Sequence, residues 1–253
     1  MARRHLDRRG ALAAACATLA YLRLVRPWHQ RWGATDEEVR RPLPGDEEIP
    51  KPTVQSTRAI TIAAPPADVW PWIAQIGYVG YGRAGWYAFD FWDANAGHGR
   101  SSWRLLPEAQ QLQVGLRVGE EGFTVQSFEA NQHLVMAYHY PQVEWVRKEG
   151  LWPKFGECSL VFVLQPTNHG GTRLLVRTRF TLGGLGIHLL WWPFFEVGDF
   201  LQQWRMLPGI KRRAEGLSGA GACPKPTVSP VKADGLAGAD PKSAATSAPA
   251  EHA

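Results

Sequence analysis

Cysteine is scarce in this sequence. Cys16, Cys158 and Cys223 are spread over 253 residues. Their spacing excludes a disulfide framework and matches no zinc motif. Signatures of catalysis are missing as well. There is no H-E-x-x-H and no tight His/Asp/Glu cluster, so no metal site is expected. Ser101-Ser102 has no G-x-S-x-G setting. The glycine-rich runs at 77–82 and 183–186 lack the strand–loop–helix context of a dinucleotide site, and no cofactor is expected. Net positive charge is missing from the body of the chain. The net charge is +5, but residues 1–31 hold seven Arg against one Asp, which leaves −1 for the remainder. A nucleic-acid-binding domain needs a basic field on its own folded surface, so nucleic acid is excluded as a partner. Aromatic residues are absent after Leu217, where Ala, Gly, Pro, Ser and Lys dominate. Residues 217–253 read as a disordered tail with no assignable function.

The N-terminal segment, residues 1–32, is basic at both ends with a short apolar centre. Thirteen uncharged residues from Gly10 to Leu22 would make about 20 Å of helix, short of the ~30 Å hydrocarbon core. Extension to Pro27 with Arg23 and Arg26 snorkelling, and Trp28 and Trp32 as interfacial anchors, predicts a membrane-anchor-like helix. A cleaved signal peptide and an interfacial helix are the alternatives. The expectation is a membrane-associated protein, touching the bilayer through residues 10–28 and again through the apolar run 189–195, with orientation and oligomeric state open. Residues 33–57 form an acidic, Pro-rich connector. Thr35 and Glu38 read as a capping box, and Pro42, Pro44, Pro50 and Pro52 impose extended backbone that would hold the body away from the membrane.

The body, 58–216, reads as α+β. RAITIAA (58–64) alternates like a strand, and ADVWPWIAQIG places Val69, Trp72, Ile73 and Ile76 on one face of a helix. Strand patterns follow at 112–119, 123–130, 133–140, 158–166 and 172–182. In the last, Leu174, Val176, Thr178 and Phe180 share one face. Arg173, Leu175, Arg177 and Arg179 share the other, which is expected to meet solvent. A helix from about Trp192 to Glu215 carries an apolar stripe of Val197, Phe200, Leu201, Trp204 and Leu207, with a kink or break expected at Pro208-Gly209. A curved sheet around a long helix leaves a cavity between them.

Five aromatic rings and two carboxylates fall between Trp86 and Asp93. On a helix, Trp86, Asp90 and Asp93 would share a face, and a carboxyl buried among rings could serve as general acid or base. Asp90 and Asp93 are thus weak catalytic candidates against a rim or plain structural role. His98, between two glycines, could sit at a pocket mouth. Cys158, within an apolar strand, is expected to be an inert core thiol.

The segments WGATDEEVRRPLPGDEEIP (32–50), RAITIAAPPADVWPWIAQIG (58–77), GWYAFDFWD, RLLPEAQQLQVG (104–115), TRLLVRTR (172–179) and MLPGIKRRAE (206–215) together resemble the SRPBCC superfamily. The resemblance is to its START-type, polyketide cyclase/dehydrase-like members. It implies a helix-grip fold with a hydrophobic pocket and carries no fixed catalytic set. The combined reading is a protein that binds a hydrophobic small molecule such as a lipid, isoprenoid or polyketide-like compound. The pocket is assigned to Trp86, Tyr87, Phe89, Met136, Tyr138, Phe162, Val176, Phe180, Phe200 and Trp204, and a cavity of roughly 300 Å³ or more would favour binding or catalysis over a collapsed module. Two alternatives stand beside it: a cyclase or dehydratase using Asp90 or Asp93, and a non-catalytic interaction module whose cavity has collapsed.

Overall fold

The computed structural model describes residues 8–78, 84–89, 101–119, 122–138, 155–182 and 185–219. Side chains are described in these ranges except at 8–9, 155, 182, 185–194 and 217–219. The chain divides into Met1–Gly221 and Ala222–Ala253, and the second unit lies wholly outside the described residues.

Six strands form one antiparallel sheet: β1 (Val54–Ile62), β2 (Arg117–Val118), β3 (Phe123–Glu129), β4 (His133–Tyr138), β5 (Phe155–Pro166) and β6 (Thr172–Leu182), in spatial order β1-β6-β5-β4-β3-β2. Helix α4 (Pro66–Ala74) and the long helix α5 (Leu185–Gly219) cover one face. This is the helix-grip architecture that the resemblance implied.

Alternation decides which residues go inward. Ile62 on β1, Leu134 and Met136 on β4, Leu160, Phe162 and Leu164 on β5, and Leu174 and Val176 on β6 meet Val69, Trp72 and Ile73 of α4. Met206, Leu207 and Ile210 of α5 complete the cluster. The expected strand at 112–119 shrinks to two residues. Gly115 and Gly119 adopt φ of +84° and +69°, so the backbone turns at both ends of the pair.

The opposite face of the sheet is not open to solvent. Val135, Val161, Val163, Leu175 and Ala59 pack there against Leu43 of the connector, and Ile49 is also buried. Gly45, at φ +83°, lies against the Val135 side chain where a Cβ would clash. The β6 arginines, expected in water, anchor this layer. Arg177 is 1% exposed. It donates to Thr57 Oγ1, to the carbonyls of Glu38, Val39 and Arg41, and to Asp46 Oδ2 at 2.7 Å. Arg173 grips both oxygens of Glu38 at 2.8 Å, and Arg179 reaches the Asp46 and Ile49 carbonyls. Buried guanidinium groups need every N–H answered. The acidic connector supplies the acceptors, so it lies on the sheet rather than spacing it from anything.

The capping box forms as read: Glu38 N–H donates to Thr35 Oγ1 at 3.2 Å, and Thr35 N–H to Glu38 Oε2 at 2.7 Å. It opens α3 (Asp36–Arg40). Ahead of it, α1 (Arg8–Ala20), a π-helical stretch (Tyr21–Val25) and α2 (Arg26–Gln30) form the N-terminal arm. The membrane-spanning expectation for 10–28 is corrected. Among the described residues no helix is long and apolar enough to cross a membrane. The arm's apolar centre is short and rich in alanine. Arg26, cast as a snorkelling residue, instead pairs with Glu196 of α5 at 2.8 Å, and Trp28 sits edge-on to Phe200. The 189–194 side chains, cast as a second contact, lie outside the described set.

Two tests follow from the outer layer. Arg177→Met should lower unfolding free energy in urea by about 3–5 kcal/mol, the usual cost of stripping one partner from a buried pair. The Arg173 guanidinium holds the Glu38 carboxyl down, from 4.5 to about 2. A depressed acid stabilises fully above its unfolded pKa and loses that contribution as pH falls toward 2. Wild type should therefore exceed Glu38→Gln in stability at pH 7, with the gap closing between pH 5 and 2 in urea titrations.

Candidate functional site

On the inner face of the sheet, three polar side chains converge on one carboxylate of α5. Asp199 Oδ2 accepts from Arg58 Nη1 at 2.6 Å and Ser56 Oγ at 3.1 Å. Its Oδ1 accepts from Thr178 Oγ1 at 3.2 Å and Gln203 Nε2 at 2.7 Å. Arg58 is 1% exposed. Its Nε donates to the His29 carbonyl at 2.8 Å, and its guanidinium lies 5.5 Å from the centre of the Phe200 ring. One turn earlier, the Glu196 carboxylate accepts from Arg26 and from Gln30 Nε2. The N-terminal arm, the edge strand β1 and α5 are thus tied by one buried polar network.

This network turns α5. Val197 and Trp204, placed on the inward stripe by sequence, are 37% and 42% exposed. Leu207 of that stripe is buried as expected, but Glu196, Gln203, Met206 and Ile210 face inward with it. The pairing of Glu196 with Arg26 and of Asp199 with Arg58 outweighs the apolar stripe, because an unpaired buried guanidinium would cost more than two half-exposed apolar side chains. The expected break at Pro208-Gly209 does not occur, since α5 runs continuously from Leu185 to Gly219. Gly209 has a different use: a Cβ there would strike the Tyr87 carbonyl, which crosses the helix at that point.

Beside Asp199, sheet and helix leave a cavity of about 200 Å³. Trp86, Phe123, Cys158, Leu160 and Met206 form its apolar wall, and Thr178, Asp199, Gln202 and Gln203 its polar one. A second cavity of about 100 Å³, lined by Tyr138, Phe180, Thr181 and Phe195, shares Cys158, Thr178 and Asp199 with the first. The larger one falls short of the ~300 Å³ that would favour binding or catalysis over a collapsed module. Large side chains fill the space that was assigned to it.

The ten expected lining residues divide accordingly. Trp86, Tyr138 and Phe180 line a cavity. Met136, Phe162 and Val176 are fully buried in the packed core. Tyr87 packs edge-on to Trp72 and donates its hydroxyl to the Trp72 carbonyl at 3.1 Å, at a backbone φ of +58°. Phe89 lies under the Arg205 guanidinium. Phe200 faces His29 and Trp28 of the arm, and Trp204 is exposed. Asp90, Asp93 and His98 lie outside the described residues. Ser101 is structural, its Oγ accepting from the Tyr87 N–H at 3.0 Å.

The described groups suit holding rather than reacting. Burial pushes the Cys158 thiol well up from its ordinary range, with Asp199 adding to the effect. Burial likewise raises Tyr138, so neither supplies a nucleophile at neutral pH. Four donors already occupy Asp199. Among the described residues no group of three or more His, Cys, Asp or Glu could hold a metal.

Sequence reasoning missed Arg58, Thr178, Asp199 and Gln203 as site residues. A signal existed: Glu196, Asp199 and Gln203 recur at helical spacing in phase with Met206 and Ile210. Arg58 and Ser56 share the inward face of β1 with Ile60 and Ile62.

No family model and no curated protein matches the chain. Solved structures similar to it include the di-domain ARO/CYC StfQ from the steffimycin biosynthetic pathway, 14% identical over 68% of this chain and 54% of that one, TM-score 0.40. Ara h 8.0201 is 12% identical over 64% and 98%, TM-score 0.35. Protein CV1439 from Chromobacterium violaceum is 11% identical over 64% and 96%, TM-score 0.37. Similarity at this level names no ligand or reaction for this chain, and its fold rests on its own strand order.

His29 generates a pH test. Its side chain is 2% exposed, its Nε2 lies 3.2 Å from the Tyr21 hydroxyl, and its Nδ1 has no partner among the described residues. Burial lowers its pKa, and the Arg58 and Arg26 charges add to this against Glu196 and Asp199. A lowered histidine stabilises the fold above its unfolded pKa and loses that contribution as pH falls below about 6.5. Wild type should lose thermal stability between pH 7 and 5 more steeply than His29→Gln, read by the melting midpoint.

Proposed function

We propose that this chain binds a small, predominantly apolar molecule in the cavity between the sheet and α5. The observation that carries the reading is a half-open space of about 200 Å³ whose apolar wall is formed by Trp86, Phe123, Leu160 and Met206. Burial of such surfaces stabilises a bound apolar body by roughly 25 cal/mol per Å² removed from water. The volume suits a single substituted ring or a short chain, because an apolar cavity of ~150 Å³ already accepts benzene. Large lipids and multi-ring polyketides, within the class expected from sequence, exceed it unless the walls move.

The enzyme reading has less support. Asp199, the described carboxylate at the cavity, has its acceptor sites taken by Arg58, Ser56, Thr178 and Gln203. A general base needs a free acceptor within reach of the substrate. The interaction-module reading draws on the complete burial of Met136, Phe162 and Val176 in packed core and on a cavity smaller than ~300 Å³.

The test is direct. Native mass spectrometry of the full chain from its own host should show a bound small molecule. Met206→Trp, which fills the cavity, should abolish that adduct while circular dichroism and the melting transition show a folded chain. Persistence of the adduct in folded Met206→Trp would remove the cavity as its site.

A further inference from the structure

The two cavities lie end to end, and the order of their lining residues shows the direction. On β5 the lining passes from Leu160 in the larger cavity to Cys158 in both. On β6 it passes from Thr178 in both to Phe180 in the smaller. On α5 it runs from Met206 and Gln203 in the larger, through Asp199 in both, to Phe195 in the smaller. Leu160 stands opposite Thr178 across the β5–β6 pair, and Cys158 stands opposite Phe180. Two residues along a strand advance about 6–7 Å and one helical turn about 5.4 Å, so sheet and helix step together. Each of the three elements gives one shared residue, and Cys158, Thr178 and Asp199 form a common rung where the two spaces meet. The aromatic wall is continuous across that rung. Trp86 packs edge-on to Phe123 at 6.2 Å, and Phe123, which lines the larger cavity, packs edge-on to Tyr138 of the smaller at 5.0 Å. From Phe195 to Met206 the helix side of this trough is about 16 Å long.

The two ends differ in what they can hold. An apolar space of ~150 Å³ accepts a benzene ring. The larger end, at about 200 Å³, therefore takes one ring. The smaller end, at about 100 Å³, has room for a chain and none for a second ring. Its wall is mostly apolar, formed by Tyr138, Phe180 and Phe195 beside Thr181. At the rung between them, the Asp199 carboxylate is already paired with Arg58 at 2.6 Å and accepts from Ser56, Thr178 and Gln203 as well. Its charge is answered inside the protein, so a neutral chain can pass it without supplying a partner of its own.

We propose that the two cavities form one trough that takes a single ring bearing an unbranched alkyl chain. The ring lies against Trp86, Phe123, Leu160 and Met206. The chain runs along α5, past Cys158, Thr178 and Asp199, and ends between Phe180 and Phe195. This assignment rests on the cavity-binding reading above and goes beyond it by fixing the shape of the ligand and the direction in which it lies.

Four probes test it with the full chain: toluene, n-propylbenzene, n-pentylbenzene and biphenyl, with dissociation constants read by ligand-observed NMR. Each pair of added methylenes should tighten binding about 5- to 15-fold, through pentyl. Biphenyl, whose second ring exceeds the smaller end, should bind more weakly than n-pentylbenzene. Phe180→Trp, which narrows the smaller end alone, should erase the gain from propyl to pentyl and leave toluene binding in place, in a chain shown to be folded by circular dichroism. If that variant does not fold, nuclear Overhauser contacts in wild type decide the point: the terminal methyl of n-pentylbenzene should reach the Phe180 ring. Affinity that levels off at propyl, biphenyl as tight as n-pentylbenzene, a pentyl gain that survives in folded Phe180→Trp, or a terminal methyl without contact to Phe180 overturns the trough and leaves the cavity reading standing. Failure of all four probes to bind removes both.

Discussion

A guanidinium on the inward face of an edge strand is the constraint around which this molecule is arranged. Arg58 is buried among apolar neighbours, where an unpaired charge would cost several kcal/mol. Its partners come from three directions: the Asp199 carboxylate from α5, the His29 carbonyl from the N-terminal arm, and the Phe200 ring face. Each of those contacts orients an element. Asp199 sets the rotation of the long helix and brings Glu196 and Gln203 inward with it. The His29 carbonyl and the Arg26–Glu196 pair fix the arm against both helix and strand. The cavity exists beside this network because a helix face carrying Glu196, Asp199 and Gln203 cannot close onto Leu160 and Trp86 as an apolar face would.

The second layer of organisation lies on the other side of the sheet. Arg173, Arg177 and Arg179 alternate along β6 and point away from the cavity, toward the connector. The connector's acidic composition and its extended prolines make it a strap. Glu38 and Asp46 supply charge, and the carbonyls of residues 33–49 supply the remaining acceptors. Burying both faces lets a modest sheet hold a cavity on one of them, since the strands are braced from behind. The strap and the cavity share β6, whose residues alternate between Arg177 on one side and Thr178 on the other.

Much of this was legible in the residues. Period-2 alternation located β3 to β6 within a few residues. The helical spacing of Val69, Trp72, Ile73 and Ile76 identified the face of α4, and Thr35 with Glu38 identified a cap that forms as read. The site was less legible. Trp86, Tyr138 and Phe180 reach the cavity, but Phe200 and Trp204 do not. The rule that put them inside counts apolar side chains and takes no account of what a buried arginine on another element requires. Arg177 was assigned to water for the same reason. Its partners, the carbonyls of Glu38, Val39 and Arg41, belong to every residue's backbone and leave no mark in a pattern of side-chain types. The N-terminal arm failed as a membrane span because no described helix is long and apolar enough, and Arg26 pairs with Glu196, 170 residues away.

Composition and periodicity by themselves determined that this chain builds an antiparallel sheet closed by a long C-terminal helix, carries no disulfide scaffold, and concentrates its positive charge at the N-terminus. Charge distribution and cysteine spacing are sums over the chain, and element types follow from local repeats, so they are readable before any distant contact is known. Tertiary structure alone decided which face of α5 looks inward, that the connector lies on the sheet, and that a small cavity remains beside Asp199. Those outcomes depend on satisfying buried charge between residues far apart in the chain. Coulomb energy and desolvation act through space, and one-dimensional patterns do not register them.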